Sequence, residues 1–357
     1  MKIVVVQPNI PTYRVDFYSR LVKTPGWEVN VVANKGTLGL LTDNEDQNSW
    51  ANVSGRYRRF FGIEWQEDIL GLSLKDLDLL VISGNPRNIP ALILTVRARL
   101  YGVPCVWWGH FNSVSTKVWR ARIRHFLYKI PKNICFYSDY ELSTATKALK
   151  KYSLNLFSIS NGLNIDDISV LRKEYIAKNR PFRILFIGRM VSRSRLDLVL
   201  EAMPVLAKGG VHLDVIGEGD MRKAYESWVA KNSLQDNVTF HGAITDENQL
   251  SPIFNNSSIF VSGDCVGLSI IHALAYGLPV IINANSKTQA PEADVLLLGE
   301  MGLTHSGDSA SLGATVTLLL ENYDLRDQFS RTALITLRNH HNTETMTKRF
   351  IDMVDSI

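Results

Sequence analysis

Three cysteines in 357 residues, Cys105, Cys135 and Cys265, are too few and too far apart for a disulfide framework or a cysteine-rich metal centre. They read as buried thiols in a reducing cytosol. Long apolar runs are absent. No stretch approaches the roughly 18–20 uncharged residues of a membrane-spanning helix. The opening run Met1–Val6 meets Gln7-Pro8-Asn9 at once, too soon for a secretory signal. A Gly-x-Gly-x-x-Gly turn is missing from both Gln7–Arg14 and Gly188–Arg195, which argues against a dinucleotide-dependent dehydrogenase. Low-complexity tracts, short-period repeats and recognised nucleic-acid motifs are also missing, so no nucleic-acid partner is expected.

What is present has a globular balance, with 45% hydrophobic and 21% charged residues. The length suits about two domains. Charge is divided unevenly. Residues 1–170 hold 21 Lys and Arg against 14 Asp and Glu, a net +7, and residues 171–357 hold 18 against 21, a net −3. Different partners for the two halves are implied.

Short apolar runs alternate with helix-like stretches. Lys2–Val6, Trp27–Ala33, Leu77–Ile82, Val103–Trp108, Ile134–Tyr137 and Asn155–Ile159 read as buried strands, with helical spacing in Asp16–Val22 and Pro90–Tyr101. The pattern restarts at Arg183–Gly188. It continues through Val211–Ile216, Val238–Phe240, Ser258–Val261 and Pro279–Asn283, with a helix over Leu196–Ala207. The fold class expected is α/β, with two tandem doubly wound parallel-sheet domains and a cleft between them. The expected division is 1–168, 169–342, and an amphipathic C-terminal helix over 343–357 packing back towards the first domain. Ligands in such sheets lie beyond the carboxyl ends of the strands.

Two segments at such ends carry the chemistry. Gly188-Arg189 closes one strand and predicts a helix start just beyond, where anions are favoured. Arg189, Arg193 and Arg195 suit a diphosphate, although a solvated basic turn would look the same. Ser262 to Val280 holds a glycine-containing loop and then a helix. Its Gly267 permits close backbone approach, and the amides of Gly267, Leu268 and Ser269 point at a phosphate. Asp264 and His272 bracket seven residues there.

This second segment resembles the signature of retaining GT-B glycosyltransferases of family 4, in which two Glu with seven residues between them precede Ala-Gly-x-Pro-Val. Gly188-Arg189 with Leu196-Asp197-Leu198, Val215-Ile216-Gly217-Glu218-Gly219 and Val238-Thr239-Phe240-His241-Gly242 are similar to further motifs of that family, in its order. The departures are Asp264 and His272 for the Glu pair and Ser194 for the usual Lys. They resemble a subgroup with Val266-Gly267-Leu268, a His, and a later Pro-Glu, here Pro291-Glu292.

The resemblance implies transfer of a hexose-type sugar from a UDP- or GDP-sugar to a hydroxyl acceptor, with retention, no cofactor and no metal. A lipid-linked or growing polysaccharide glycan is the expected acceptor. Arg189, Arg193, Ser194, Arg195 and the amides around Val266–Ser269 would hold the diphosphate. Gly217 and Gly242 would lie by the base, His272 by the ribose and Asp264 by the sugar. Glu292 would restore a lost carboxylate, or is an exposed loop acid. Asn9, Tyr13 and Arg14 resemble the acceptor-side loop. His110, after Trp107-Trp108-Gly109, matches a His that touches the donor sugar, or is a satisfied structural group. A sugar-nucleotide epimerase on the same fold, or a nucleotide-sugar-binding protein without transfer, are the alternatives.

Lys117, Arg120, Arg122, Arg124, Lys129 and Lys132 follow one another without an intervening acid, interleaved with Val118, Trp119, Ile123, Phe126, Leu127 and Ile130. That pattern suits a helix lying on an anionic membrane surface, extended by Arg56, Arg58 and Arg59, or a solvated helix packed by its apolar side. The expected location is cytoplasmic, with peripheral attachment to the inner membrane face.

Overall fold

The computed structural model describes residues 1–35, 49–111, 118–284 and 300–357. They form two compact units, Met1–Asn164 with Thr343–Ile357, and Ile165–Asn342. Each is a sheet with helices on both faces.

The first unit contains strands β1 (Lys2–Val6), β2 (Glu28–Lys35), β3 (Ala51–Phe60), β4 (Ile63–Gln66), β5 (Leu79–Ser83), β6 (Cys105–Trp108), β7 (Lys132–Phe136) and β8 (Asn155–Ser158). Their order is β4-β3-β2-β1-β5-β6-β7-β8, parallel except for the β3–β4 pair. Helices α1 (Val15–Val22), α2 (Ile89–Leu100), α3 (Val118–Leu127) and α4 (Asp139–Leu149) connect them. Alternation along β1 sends Ile3 and Val5 to one face of the sheet and Val6 to the other. Both faces are buried, so the central strands are continuous apolar runs.

The second unit holds α5 (Ile165–Leu171), β9 (Arg183–Ile187), α6 (Leu196–Leu206), β10 (His212–Ile216), α7 (Arg222–Lys231), β11 (Val238–Gly242) and α8 (Glu247–Asn255). It continues with β12 (Ile259–Val261), α9 (Ser269–Ala275), β13 (Val280–Asn283), β14 (Gly302–His305), α10 (Ser309–Glu321) and α11 (Tyr323–Asn339). The six-stranded order is β11-β10-β9-β12-β13-β14, with every pair parallel. Leu196, Val199, Leu200 and Met203 of α6 are buried with Leu312, Val316 and Leu319 of α10 in one core.

The last helix, α12 (Thr343–Asp355), belongs to the first unit. Its buried stripe Met346, Phe350, Met353 and Val354 packs on that core. Phe350 meets Phe17 edge-on, with ring centres 5.7 Å apart. Arg349 pairs with Asp139 at 2.7 Å.

Strands β3, β4 and β14 carry no apolar run that marks them. Much of β3 is exposed, and three arginines and Gly55 interrupt it. Its partner β4 is an antiparallel edge strand, so neither needs two apolar faces. Cys105 and Cys135 are buried, but Cys265 is half-exposed, in the loop after β12.

One buried charge ties three strands together. Asp214 on β10 accepts two hydrogen bonds from Arg183 on β9, at 2.9 and 2.7 Å, and lies 2.8 Å from His241 on β11. Burial alone would raise its carboxyl pKa, yet the Arg183 and His241 hydrogen bonds hold it below the usual range. That stabilisation is complete above the unfolded pKa of about 4 and is lost as pH falls through the lowered folded value. Asp214→Ala is therefore expected to cost about 3 kcal/mol at pH 7. Denaturant melts from pH 7 to 2.5 should show the gap to wild type closing at the acid end. A gap that stays constant with pH would refute it.

Candidate functional site

In the second sheet the strand order reverses between β9 and β12. From β9 the chain runs outward to β10 and β11, and from β12 to β13 and β14. The loops after β9 and β12 therefore diverge and leave a crevice at the carboxyl edge. Both sequence candidates, Gly188–Arg195 and Ser262–Ser269, are these two loops.

Glycines let the loops touch through their backbones. Gly188 donates to the Ile216 carbonyl at 3.0 Å and Gly217 to the Gly242 carbonyl at 2.8 Å, extending the sheet beyond its strands. Gly217 has φ +136°, and a Cβ there would overlap the Gly188 carbonyl oxygen. A Cβ on Gly263 would likewise overlap the Arg195 carbonyl oxygen. Gly267 differs. It has open space around it and no left-handed backbone, so nothing in the described protein requires a glycine there.

No α-helix starts directly after Gly188-Arg189. A short 3-10 turn, Ser192–Ser194, intervenes, and Arg195 in the left-handed region (φ 49°) opens α6. The three arginines are consequently unequal. Arg195 is tied to Asp197 at 2.8 Å. The side chains of Arg189 and Arg193 are exposed and have no ion-pair or hydrogen-bond partner among the described residues. Ser194 is buried and donates to the Val191 carbonyl at 2.7 Å.

In the other loop Val266 is buried as an anchor, while Gly267, Leu268 and Ser269 are half-exposed at the start of α9. Asp264 accepts from Asn283 at 3.3 Å. His305 at the end of β14 clamps the same loop. Its Nδ1 accepts the Gly307 amide at 3.1 Å, so its Nε2–H donates to the Ser262 carbonyl at 3.0 Å. Burial lowers the His305 pKa, consistent with this neutral form.

His272 lies with Nε2 3.0 Å from Oε1 of Glu247, the first residue of α8. The Tyr276 hydroxyl donates to the same oxygen at 2.6 Å. Burial tends to raise the Glu247 pKa, but the His272 hydrogen bond leads the effects that hold it low.

In the first sheet the order reverses between β1 and β5. Asn9 and Arg14, after β1, are both buried. The Asn9 amide nitrogen has no partner among the described residues. Arg14 hydrogen-bonds Asn161 and lies over the rings of Trp108 and exposed Tyr13, at 5.0 and 5.4 Å, so its guanidinium is held inside the unit. His110 follows β6, its ring tilted against Tyr137 with ring centres 4.4 Å apart. Its Nδ1 lies 3.4 Å from Oε1 of buried Glu141, which also accepts the Phe111 amide at 2.9 Å. The first-unit candidates thus gather at one sheet edge, and those of the second unit at another.

Residues 167–334 match the family profile described as glycosyl transferases group 1. The match lies within the second unit. Solved structures share the whole fold. The sucrose-phosphate synthase (tll1590) of Thermosynechococcus elongatus aligns with TM-score 0.72 and 16% identity over 100% of this chain and 98% of its own. HepE of Anabaena, solved with UDP, gives 0.72 and 15% over 100% of both chains. A glycosyltransferase of Rickettsia africae gives 0.72 and 14% over 99% and 98%. The architecture is therefore GT-B. No curated protein is significantly similar in sequence.

Several expectations need correction within this GT-B frame. Arg58 and Arg59 are paired to Glu67 at 2.7 Å and Glu64 at 3.0 Å, so they do not extend a free basic patch. The Asp-x-Asp of the sequence, Asp76-Leu77-Asp78, precedes β5. Asp78 accepts the Lys2 amide at 2.6 Å, at the sheet edge opposite the crevice. Glu292, Lys117 and the side chains of Val118 and Trp119 lie outside the described residues. Sequence reasoning missed Glu141 and Glu247. Ser138-Asp139-Tyr140-Glu141 has the capping-box spacing, so Glu141 was visible as a helix-start acid, but its contact with His110 was not.

Proposed function

We propose that the chain transfers a hexose-type sugar from a UDP- or GDP-sugar to a hydroxyl of a lipid-linked or growing polysaccharide glycan, with retention and without a metal. The observation that carries this reading is the pair of exposed cations, Arg189 and Arg193, whose side chains have no partner among the described residues, beside the glycine-knit loops of the segment that matches the group 1 profile. When the bond between anomeric carbon and diphosphate breaks, the electron pair leaves on the diphosphate. Arg189, Arg193 and the amides at Gly267–Ser269 stabilise that charge, and the acceptor oxygen bonds to the anomeric carbon as its proton passes to the departing diphosphate oxygen. Asp264 faces the sugar, and Gly217 and Gly242 the base. In the first unit His110, oriented by Glu141, meets the sugar, and exposed Tyr13, with Asn9 and Arg14 buried behind it, forms the acceptor side. HepE has also been solved with UDP and glucose together, which supports this donor class.

Thermal stabilisation by a panel of nucleotide sugars, followed by transfer assays with and without acceptor, tests the reading. Stabilisation by a UDP- or GDP-sugar with acceptor-dependent release of diphosphate is expected. Sugar-nucleotide turnover without acceptor would indicate an epimerase instead.

No helix among the described residues is long and apolar enough to cross a membrane. Attachment to an anionic membrane surface is proposed through α3. Arg122, Ile123 and Phe126 are exposed there, and Lys129 just beyond it is exposed too. No acid occurs between Asp78 and Asp139. Arg124 turns inward, donating to the Phe111 carbonyl at 2.9 Å. The protein should float with vesicles containing anionic lipid at low salt and be released at about 0.5 M salt, where charge screening acts within a few ångströms. Failure to float at low salt would remove the proposal.

A further inference from the structure

His272 occupies the helix position where the family resemblance places a ribose contact, but its ring is already committed. Nε2 faces Glu247 at 3.0 Å, and Phe254 covers one side, with ring centres 4.6 Å apart. Phe254 also stacks on Tyr276 at 4.5 Å. Glu247 and Phe254 come from α8, and His272 and Tyr276 from α9, so two adjacent helices are joined by one carboxylate–imidazole–phenol cluster. Both side-chain hydrogen bonds to Glu247, from His272 and Tyr276, use the same oxygen, Oε1. The carboxylate is thereby fixed in orientation while Oε2 stays free of protein donors among the described residues. Glu247 is also more accessible than His272, with side chains 27% and 15% exposed.

The position of Glu247 matters. It opens α8 only a few residues beyond the end of β11, at the carboxyl edge of the sheet. A nucleotide with its diphosphate at the loops after β9 and β12, and its base beside Gly217 and Gly242, lies along that edge. Carboxylates recognise the vicinal hydroxyls of a ribose in doubly wound folds because they accept two hydrogen bonds at once. Asp246 caps α8 through the Asn248 amide at 3.0 Å, so Glu247 is not needed as its cap.

We propose that Glu247 is the ribose-binding residue of this chain, and that His272 and Tyr276 position its carboxylate. The proposal rests on the nucleotide-sugar reading above. It places the lost carboxylate of the family's Glu pair on a different helix, rather than on Glu292.

Calorimetric titration of the full chain with UDP, GDP and their 2′-deoxy forms tests it. Wild type should prefer the ribonucleotide by about tenfold, the scale of one hydrogen bond to a charged group. Glu247→Gln should lose that preference, binding both forms about as weakly as wild type binds the deoxy form. The ratio is read within one variant, so a partly unfolded fraction cancels. Glu247→Asp should recover part of the preference, and His272→Gln should weaken it without abolishing it. Full preference in Glu247→Gln, an equal loss of both forms in it, or no preference in wild type would overturn the assignment alone. Wild type that binds none of the four nucleotides would overturn the donor reading itself.

Discussion

Arg189→Ala is expected to lower sugar-transfer turnover about 100- to 1,000-fold and leave stability within roughly 0.5 kcal/mol of wild type. The two halves of that statement have separate causes. The Arg189 side chain is exposed and has no ion-pair or hydrogen-bond partner among the described residues, so its removal breaks nothing that holds the fold. Its backbone, by contrast, is fixed. Gly188 and Met190 on either side donate to the carbonyls of Ile216 and Glu218, at 3.0 and 2.8 Å. The side chain therefore starts from a rigid point at the crevice edge, and little reorganisation is needed when charge develops on the leaving diphosphate. Arg193 lies on a short 3-10 turn of the same loop, and its loss should cost less. Arg195 is partly neutralised by Asp197, and its substitution should act mainly through the start of α6. Turnover of Arg189→Ala within about threefold of wild type, at matched thermal stability, would remove Arg189 from the phosphate site.

A methyl group on Gly217 should do the opposite. Gly217→Ala is expected to destabilise the second unit by about 3–5 kcal/mol, because backbone strain and overpacking add. The new Cβ would overlap the Gly188 carbonyl oxygen, a backbone atom with no freedom to swing away, and φ +136° is itself unfavourable for alanine. For a unit of this size, that is a drop of about 10 °C in melting temperature, read by calorimetry. The comparison is Gly267→Ala, where neither a neighbouring atom nor a left-handed backbone opposes the methyl group. It should melt close to wild type and lose nucleotide affinity, since on the proposed reading only an approaching phosphate needs that space. Equal melting temperatures for the two variants would show that the loops after β9 and β10 can separate without cost.

The two variants mark the limit of what a one-dimensional reading can reach. Gly188, Gly217, Gly242, Gly263 and Gly267 are alike in the sequence. Only the folded backbone separates Gly217, pressed on a carbonyl, from Gly267, which faces open space. The arginines divide in the same way. Arg189, Arg193 and Arg195 read as one basic cluster, but Asp197 lies two residues beyond Arg195 and removes it from the set. His272 was legible as a departure from a motif. Its partner Glu247 lies 25 residues away on another helix and carries no local signal beyond that of an acid in a first helical turn.

By itself the sequence determined the class of fold and where the candidate loops would lie. A parallel strand buried on both faces has to be an apolar run, and a loop at its carboxyl end has to break that run with Gly, Asn or Ser. Those are local requirements, and β1, β5, β6, β9, β10 and β13 meet them. Strand β3 and the edge strand β4 escape notice because one exposed side relaxes the same requirement. The tertiary structure alone decided which charges stay free and which are spent on one another. Pairing depends on distance in space, and Glu141 with His110, Glu247 with His272, and Asp214 with Arg183 and His241 are all brought together by sheet order and helix packing.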